Sequence, residues 1–181
     1  MLYLYKHLKM KTLIKLLFVL LVAVAGFTPV NAQSKKAIKE AKKATEIKGL
    51  IDAKDYVFQA TYMYPIGGAA RYLTSPYDLT IAPDTVEAFL PYFGVAYSGA
   101  GYNNNEDNGI KFKSTKFDYT TSAIQKDGSY FIRIKTKDTR NATQLLIQVY
   151  NNGNADLSVI SQNRQQIRFT GYITERKKTK A

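Results

Sequence analysis

The apolar period of the chain changes once, near Asp55. From Ser34 to Ala53 the apolar positions Ala37, Ile38, Ala41, Ala44, Ile47, Leu50 and Ile51 recur every three or four residues, with Lys and Glu filling most of the gaps. This spacing predicts an amphipathic helix within residues 33–55, capped by Ser34 and weakened near its end by Gly49. Its stripe is narrow and rich in alanine, which suits a helix laid on the outside of a sheet. After Asp55 the period falls to two. Residues 56–64 (YVFQATYMY) are aromatic and β-branched and predict a strand. Further strands are predicted at 71–74, 77–81, 85–90, 110–114, 117–125, 129–136, 144–150, 156–161 and 165–173. Pro65-Ile66-Gly67-Gly68, Ser75-Pro76, Ala82-Pro83-Asp84 and Pro91 punctuate them. Residues 92–109 form a long loop of Gly, Asn and Tyr.

Many short strands in chain order, joined by short turns, predict a mainly β domain over 56–173. It is antiparallel, a largely up-and-down barrel or a two-sheet sandwich of about eight to ten strands, with the N-terminal helix packed on it. The pattern does not separate barrel from sandwich. Residues 174–181 read as a basic tail.

Two turns predict registers. Asp127-Gly128 favours a two-residue turn that sets Lys126 opposite Ser129 and Asp118 opposite Lys137. Phe117, Tyr119, Thr121 and Ala123 then share a core face with Tyr130, Ile132 and Ile134. Asn152-Gly153 predicts a second such hairpin. There Leu145, Ile147, Val149 and Ile160 occupy one face and Leu146, Tyr150, Leu157 and Val159 the other. Both faces would be apolar, and the helix would cover one of them.

The first 32 residues change the picture of where this domain works. Lys6, Lys9, Lys11 and Lys15 precede an eleven-residue apolar run, 16–26, and Val30-Asn31-Ala32 is a small-residue cleavage site. The run is too short to span a bilayer, which takes about 20 residues. Residues 1–32 therefore read as a signal peptide cleaved between Ala32 and Gln33, with Met10 as an alternative start. The product is expected in the periplasm or secreted, with no transmembrane segment. With no cysteine in the chain, it is not a lipoprotein.

Loss of the tag removes four lysines and His7, so the formal charge of +12 becomes +8 over 149 residues. That length builds a core without disulfides. A mature chain without Cys, His or Trp has no Ser-His-Asp or Cys-His catalysis, and no thiolate or imidazole metal site. No cofactor and no nucleic-acid partner is expected. The basic balance points to anionic partners in the envelope.

Candidate binding residues sit in or beside the long loop. Tyr92, Phe93, Tyr97 and Tyr102 are aromatics among glycines, suited to a hydrophobic ligand or a sugar ring, or else to folding back over the core. Arg164, in a turn, can hold an anion or fix the turn. Residues 103–108 are oxygen-rich, but their spacing departs from a calcium loop, so no metal ligand is assigned. Asp118 and Tyr119 alternate across a strand, which argues against an acid/base pair, and no catalytic residue is assigned. Asn141-Ala142-Thr143 matches the glycosylation pattern by chance.

Three blocks, DTVEAFLPYFGVAYS, GIKFKSTKFDYT and NRQQIRFTGYI, resemble a family of exported Bacteroidota proteins known as domain of unknown function 4251. The resemblance runs from about Lys36 to Ile173. It implies an extracytoplasmic single domain and carries no catalytic residues. Gln166 stands where that family is expected to have proline. The leading expectation is an exported soluble binding module for an unidentified small molecule, glycan, lipid or other envelope ligand. The alternatives are a carboxylate-dependent glycan hydrolase and a structural envelope protein that works by assembly.

Overall fold

In the computed structural model the described residues are 31–97, 109–123 and 128–177, with backbone alone for 31–34. The described residues divide between Lys39 and Glu40 into two units, and those from Glu40 onward form a compact one. Helix α1 (Asn31–Ala53) contributes Ile47 and Ile51 to the core of the larger unit, with Leu50 packed beside them. Ile38 is 68% exposed, so only the C-terminal half of the predicted stripe is used. The helix stops at Lys54, whose φ of 52° is left-handed. The Lys54 N–H donates to Ile51 O and the Asp55 N–H to Leu50 O, which satisfies two of the last carbonyls. Asp55 then pairs with Arg176 at 2.5 Å, tying the helix end to the last strand.

Nine strands follow: β1 (Tyr56–Pro65), β2 (Arg71–Ile81), β3 (Val86–Leu90), β4 (Ile110–Ser114), β5 (Phe117–Ala123), β6 (Tyr130–Thr136), β7 (Gln144–Val149), β8 (Asn154–Ile160) and β9 (Ile167–Glu175). They form one antiparallel sheet in the order β4-β3-β2-β1-β9-β8-β7-β6-β5. Every strand but one pairs with the next in the chain, and β9 returns to β1. The result is a nearly closed, barrel-like, up-and-down sheet, which decides against the sandwich. Apolar side chains such as Phe58, Leu79, Ile132, Ile147, Leu157 and Phe169 point inward and are fully buried. Each contributes about 1.5–3 kcal/mol by leaving water.

The unpaired edges, β4 and β5, are consecutive in the chain. Side chains bridge this seam where no ladder exists. The Asp138 carboxylate accepts from Ser114 Oγ and from the Thr115 and Lys116 N–H groups at 3.0 and 3.1 Å. These bonds, the Ser114 hydroxyl foremost, hold its pKa below the usual aspartate range. The Asn141 amide donates to Lys111 O at 3.0 Å, so this side chain serves the fold. Beneath the seam the Tyr56 and Tyr119 hydroxyls meet at 3.2 Å, and burial pushes Tyr56 well above an ordinary tyrosine.

Three sequence expectations need correction. The segments 71–74 and 77–81 are one strand, β2. Ser75-Pro76 sits where the β1–β2 register shifts between Ala60 and Tyr62, so the proline interrupts no ladder bond there. The β5–β6 register is two residues off the predicted one: Asp118 faces Lys135. A shift of two keeps the alternation of faces, and Lys137 still reaches Asp118 diagonally at 2.6 Å, but Thr121 and Ala123, predicted on the core face, are exposed. Of that turn, residues 124–127 lie outside the described residues. The β7–β8 register is one residue off, which has larger effects. Tyr150 N–H donates to Asn154 O across a three-residue loop, with Gly153 at φ 90°. Leu145, Ile147 and Val149 therefore share a single buried face with Ala155, Leu157 and Val159, and Leu146 and Ile160 turn outward. The hairpin has one apolar face, not two. The helix meets its turn instead: a Cβ on Gly153 would lie 3.1 Å from Ile47 Cδ1.

Candidate functional site

The β1–β2, β3–β4, β6–β7 and β8–β9 connections share one end of the barrel, as the strand registers require. At this end β3 stops at the buried Leu90, and Pro91 forbids continuation of the ladder. The chain then adds a single antiparallel bridge, Ala96 to Arg164. Gln165 N–H donates to Val95 O at 3.1 Å and Tyr97 N–H to Asn163 O at 2.8 Å. The segment after β3 is thus stitched onto the β8–β9 loop.

Two of the predicted site residues do the stitching. Tyr92 is half-buried against the core, and its hydroxyl reaches Val95 O at 2.9 Å and Gln165 O at 3.2 Å. Burial raises its pKa, against the opposing pull of Gln165 and Arg164. A Cβ at Gly94 would stand 2.7 Å from that hydroxyl, so a larger residue there would push the Tyr92 ring out of its present position. Arg164 places its guanidinium 5.1 Å from the Tyr92 ring centroid and donates to Gly109 O at 2.9 Å. It therefore spans both sides of the loop.

Phe93 and Tyr97 are displayed rather than packed, 48% and 53% exposed, with Val95 at 57% between them. The Arg71 guanidinium lies 4.0 Å from the Phe93 ring centroid, a cation–π contact at the rim. Ile66, in the neighbouring β1–β2 turn, is also exposed. Tyr102 and residues 103–108 lie outside the described residues. So does the predicted tag up to residue 30, and the Ala32–Gln33 junction falls in the first turn of α1. Sequence reasoning missed Ile66, Arg71 and Val95. Their only sequence signal was the Gly-rich turn after Ile66.

Asp118 and Tyr119 point to opposite faces: Asp118 is outside with Lys137, and Tyr119 bonds inward to Tyr56. Asp118, Thr120, Arg133 and Lys135 line an open groove of about 280 Å³ that holds one carboxylate. Glycoside hydrolysis needs two. Among the described residues no group of three or more His, Cys, Asp or Glu could hold a metal. Among them, too, no helix is long and apolar enough to cross a membrane.

These features define a helix-bearing, up-and-down β domain with an aromatic loop end. The chain belongs to the DUF4251 family, a domain of unknown function, whose model matches residues 38–173. It is similar to the crystal structure of a DUF4251 family protein from Bacteroides eggerthii DSM 20697. The two share 16% identity and a TM-score of 0.55 over 75% of this chain and 89% of that one. That likeness concerns the fold. No curated protein matches the chain.

Proposed function

We propose that the chain is an exported binding module that docks its loop end onto an anionic lipid surface of the envelope. The observation that carries this reading is the display of Phe93, Val95 and Tyr97 on a braced segment, with Arg71 against Phe93 and an exposed Ile66 in a turn at the same end. Apolar side chains normally turn inward, and this segment spends backbone bonds holding them out. The predicted export tag and the +8 charge of residues 33–181 agree with an envelope partner of negative charge.

The magnitudes suit reversible association. Sinking three half-exposed apolar side chains contributes about 1 kcal/mol each. Arg71 and Arg164 near an anionic surface add about 1 kcal/mol each. The total of about 5 kcal/mol corresponds to dissociation near 0.2 mM, roughly, before any avidity. The test is co-sedimentation with phosphatidylglycerol vesicles, with phosphatidylcholine vesicles for comparison. Binding should favour the anionic vesicles, weaken with salt, and fall several-fold in Phe93→Ser. Equal binding by Phe93→Ser and the parent, or no binding to either vesicle, would refute the proposal.

A further inference from the structure

A second feature lies away from the loop end, on the outer wall where β8, β9 and β1 run side by side. The register between β1 and β9 steps there: Ala60 faces Gly171, Tyr62 faces Thr170, and Thr61 is the extra residue of a bulge. Thr61 Oγ1 donates to Thr170 O at 2.9 Å and holds the bulge in shape. Gly171 lets the backbones close up, since a Cβ there would stand 1.9 Å from Gln59 O. The outcome is an open groove of about 370 Å³, floored by Ala155 and Gly171.

The walls of this groove are chemically mixed. Tyr62 and Tyr150 supply aromatic surface, and Thr61, Thr170, Asn154 and Asp156 supply polar groups. Tyr150 Oη donates to Asp156 Oδ2 at 3.1 Å, which fixes the carboxylate. Tyr62 is 43% exposed and edge-on to Tyr72, which is 64% exposed, with centroids 5.2 Å apart. Tyr172, also exposed, is in register with Asn154. A wet barrel wall ordinarily carries charged residues. This stretch carries three exposed tyrosines.

We infer that this groove is a binding site for a neutral glycan, with one sugar ring lying on Tyr62 and its hydroxyls bonded by Asp156 and Asn154. The ligand class follows from the lining. One carboxylate and no cationic side chain repel an anion. A wholly apolar ligand would strip water from the Asn154 amide and from the Asp156 carboxylate, which one bond from Tyr150 does not satisfy, and that is costly. A pyranose ring offers an apolar face to an aromatic ring and hydroxyl groups at its edge, so it meets both kinds of wall. An open groove along a barrel side also admits a ring in mid-chain, as a polysaccharide requires. The site is independent of the lipid reading, because none of its residues belongs to the loop end.

The test is a titration of the full chain, expressed and purified, followed by backbone amide NMR. The probes are trisaccharides of glucose, mannose and N-acetylglucosamine at up to millimolar concentration, with tetramethylammonium as the cationic comparison. Shifts at Asn154, Asp156, Thr170 and Gly171 with at least one trisaccharide are expected. Tyr62→Ala should weaken that binding tenfold or more, and Tyr62→Phe, which keeps the ring, should retain it. Phe93→Ser should leave the glycan shifts unchanged, which separates this site from the vesicle experiment. Absence of shifts with every trisaccharide overturns the proposal. So does a response to tetramethylammonium alone that disappears in Asp156→Asn, which would make the groove a cation site.

Discussion

Replacing Gly171 with alanine adds one methyl group at the point where β9 closes on β1. The new Cβ would stand 1.9 Å from Gln59 O, 2.9 Å from Gln59 C and 3.2 Å from the Ala60 Cα. A relaxed C···O contact is about 3.3 Å or longer. The two strands would have to part by more than an ångström, and the obstacle is backbone that has no alternative rotamer. Ladder hydrogen bonds near 2.9 Å do not survive that displacement. Losing two of them costs about 2 kcal/mol, and strain around the methyl group adds about 1–3 kcal/mol. The expected loss is therefore about 3–5 kcal/mol, or roughly 6–20 °C in melting temperature for a domain of this size. Gly49→Ala is the internal control. A Cβ there meets nothing within 4 Å, on an exposed turn of α1. Alanine is the better helix former by about 0.5–1 kcal/mol, so this variant should melt slightly higher than the parent. Far-UV circular dichroism against temperature reads both. A Gly171→Ala protein melting with the parent would refute the close β1–β9 approach, and with it the geometry of the groove.

Ile47→Ala should cost about 2–4 kcal/mol in urea unfolding, because Ile47 is fully buried against the barrel, whereas Ile38→Ala should be near neutral. Equal losses at the two positions would contradict the half-used helix. Asp138 has a depressed folded pKa and an ordinary unfolded one, so protonation favours the unfolded chain. Its contribution is complete above the ordinary aspartate pKa of about 3.9 and is lost as pH falls from there through the folded value. Asp138→Asn should lower stability at neutral pH and flatten that acid slope. An unchanged slope would show that the seam does not depend on the carboxylate.

Sequence periodicity was informative wherever one face met the core. Tyr130–Thr136 and the start of Ile167–Glu175 are true strands that bury alternate side chains, whereas Tyr56–Pro65, read from its aromatic and β-branched content, buries Tyr56, Val57 and Phe58 in a row. Periodicity failed at turns. Asn152-Gly153 looks like a two-residue loop, yet Gly153 ends a three-residue loop, and this single residue moves Leu157 and Val159 to the other face. Closure was invisible because the β1–β9 pairing joins residues more than a hundred positions apart. The site was half legible. Loop composition pointed to Tyr92, Phe93 and Tyr97, and a turn position to Arg164, but neither could tell a clamp from a displayed ring. That distinction rests on backbone partners at Val95, Asn163 and Gln165. The groove tyrosines escaped notice because Tyr62 and Tyr150 lie far apart in sequence and line one groove only through the β1–β9 and β8–β9 registers.

The proposed docking of the loop end can be measured directly by depth. The chain has no cysteine, so a single one introduced at Val95 carries a nitroxide label at the displayed segment. A second, at Thr120, carries one on the wall of β5. In phosphatidylglycerol vesicles, the label at position 95 should gain collisions with dissolved oxygen and lose collisions with a water-soluble nickel complex, while the label at 120 keeps its aqueous signature. Should both positions stay equally accessible to the nickel complex with vesicles present, the loop end does not enter the lipid surface, and the proposed function is wrong.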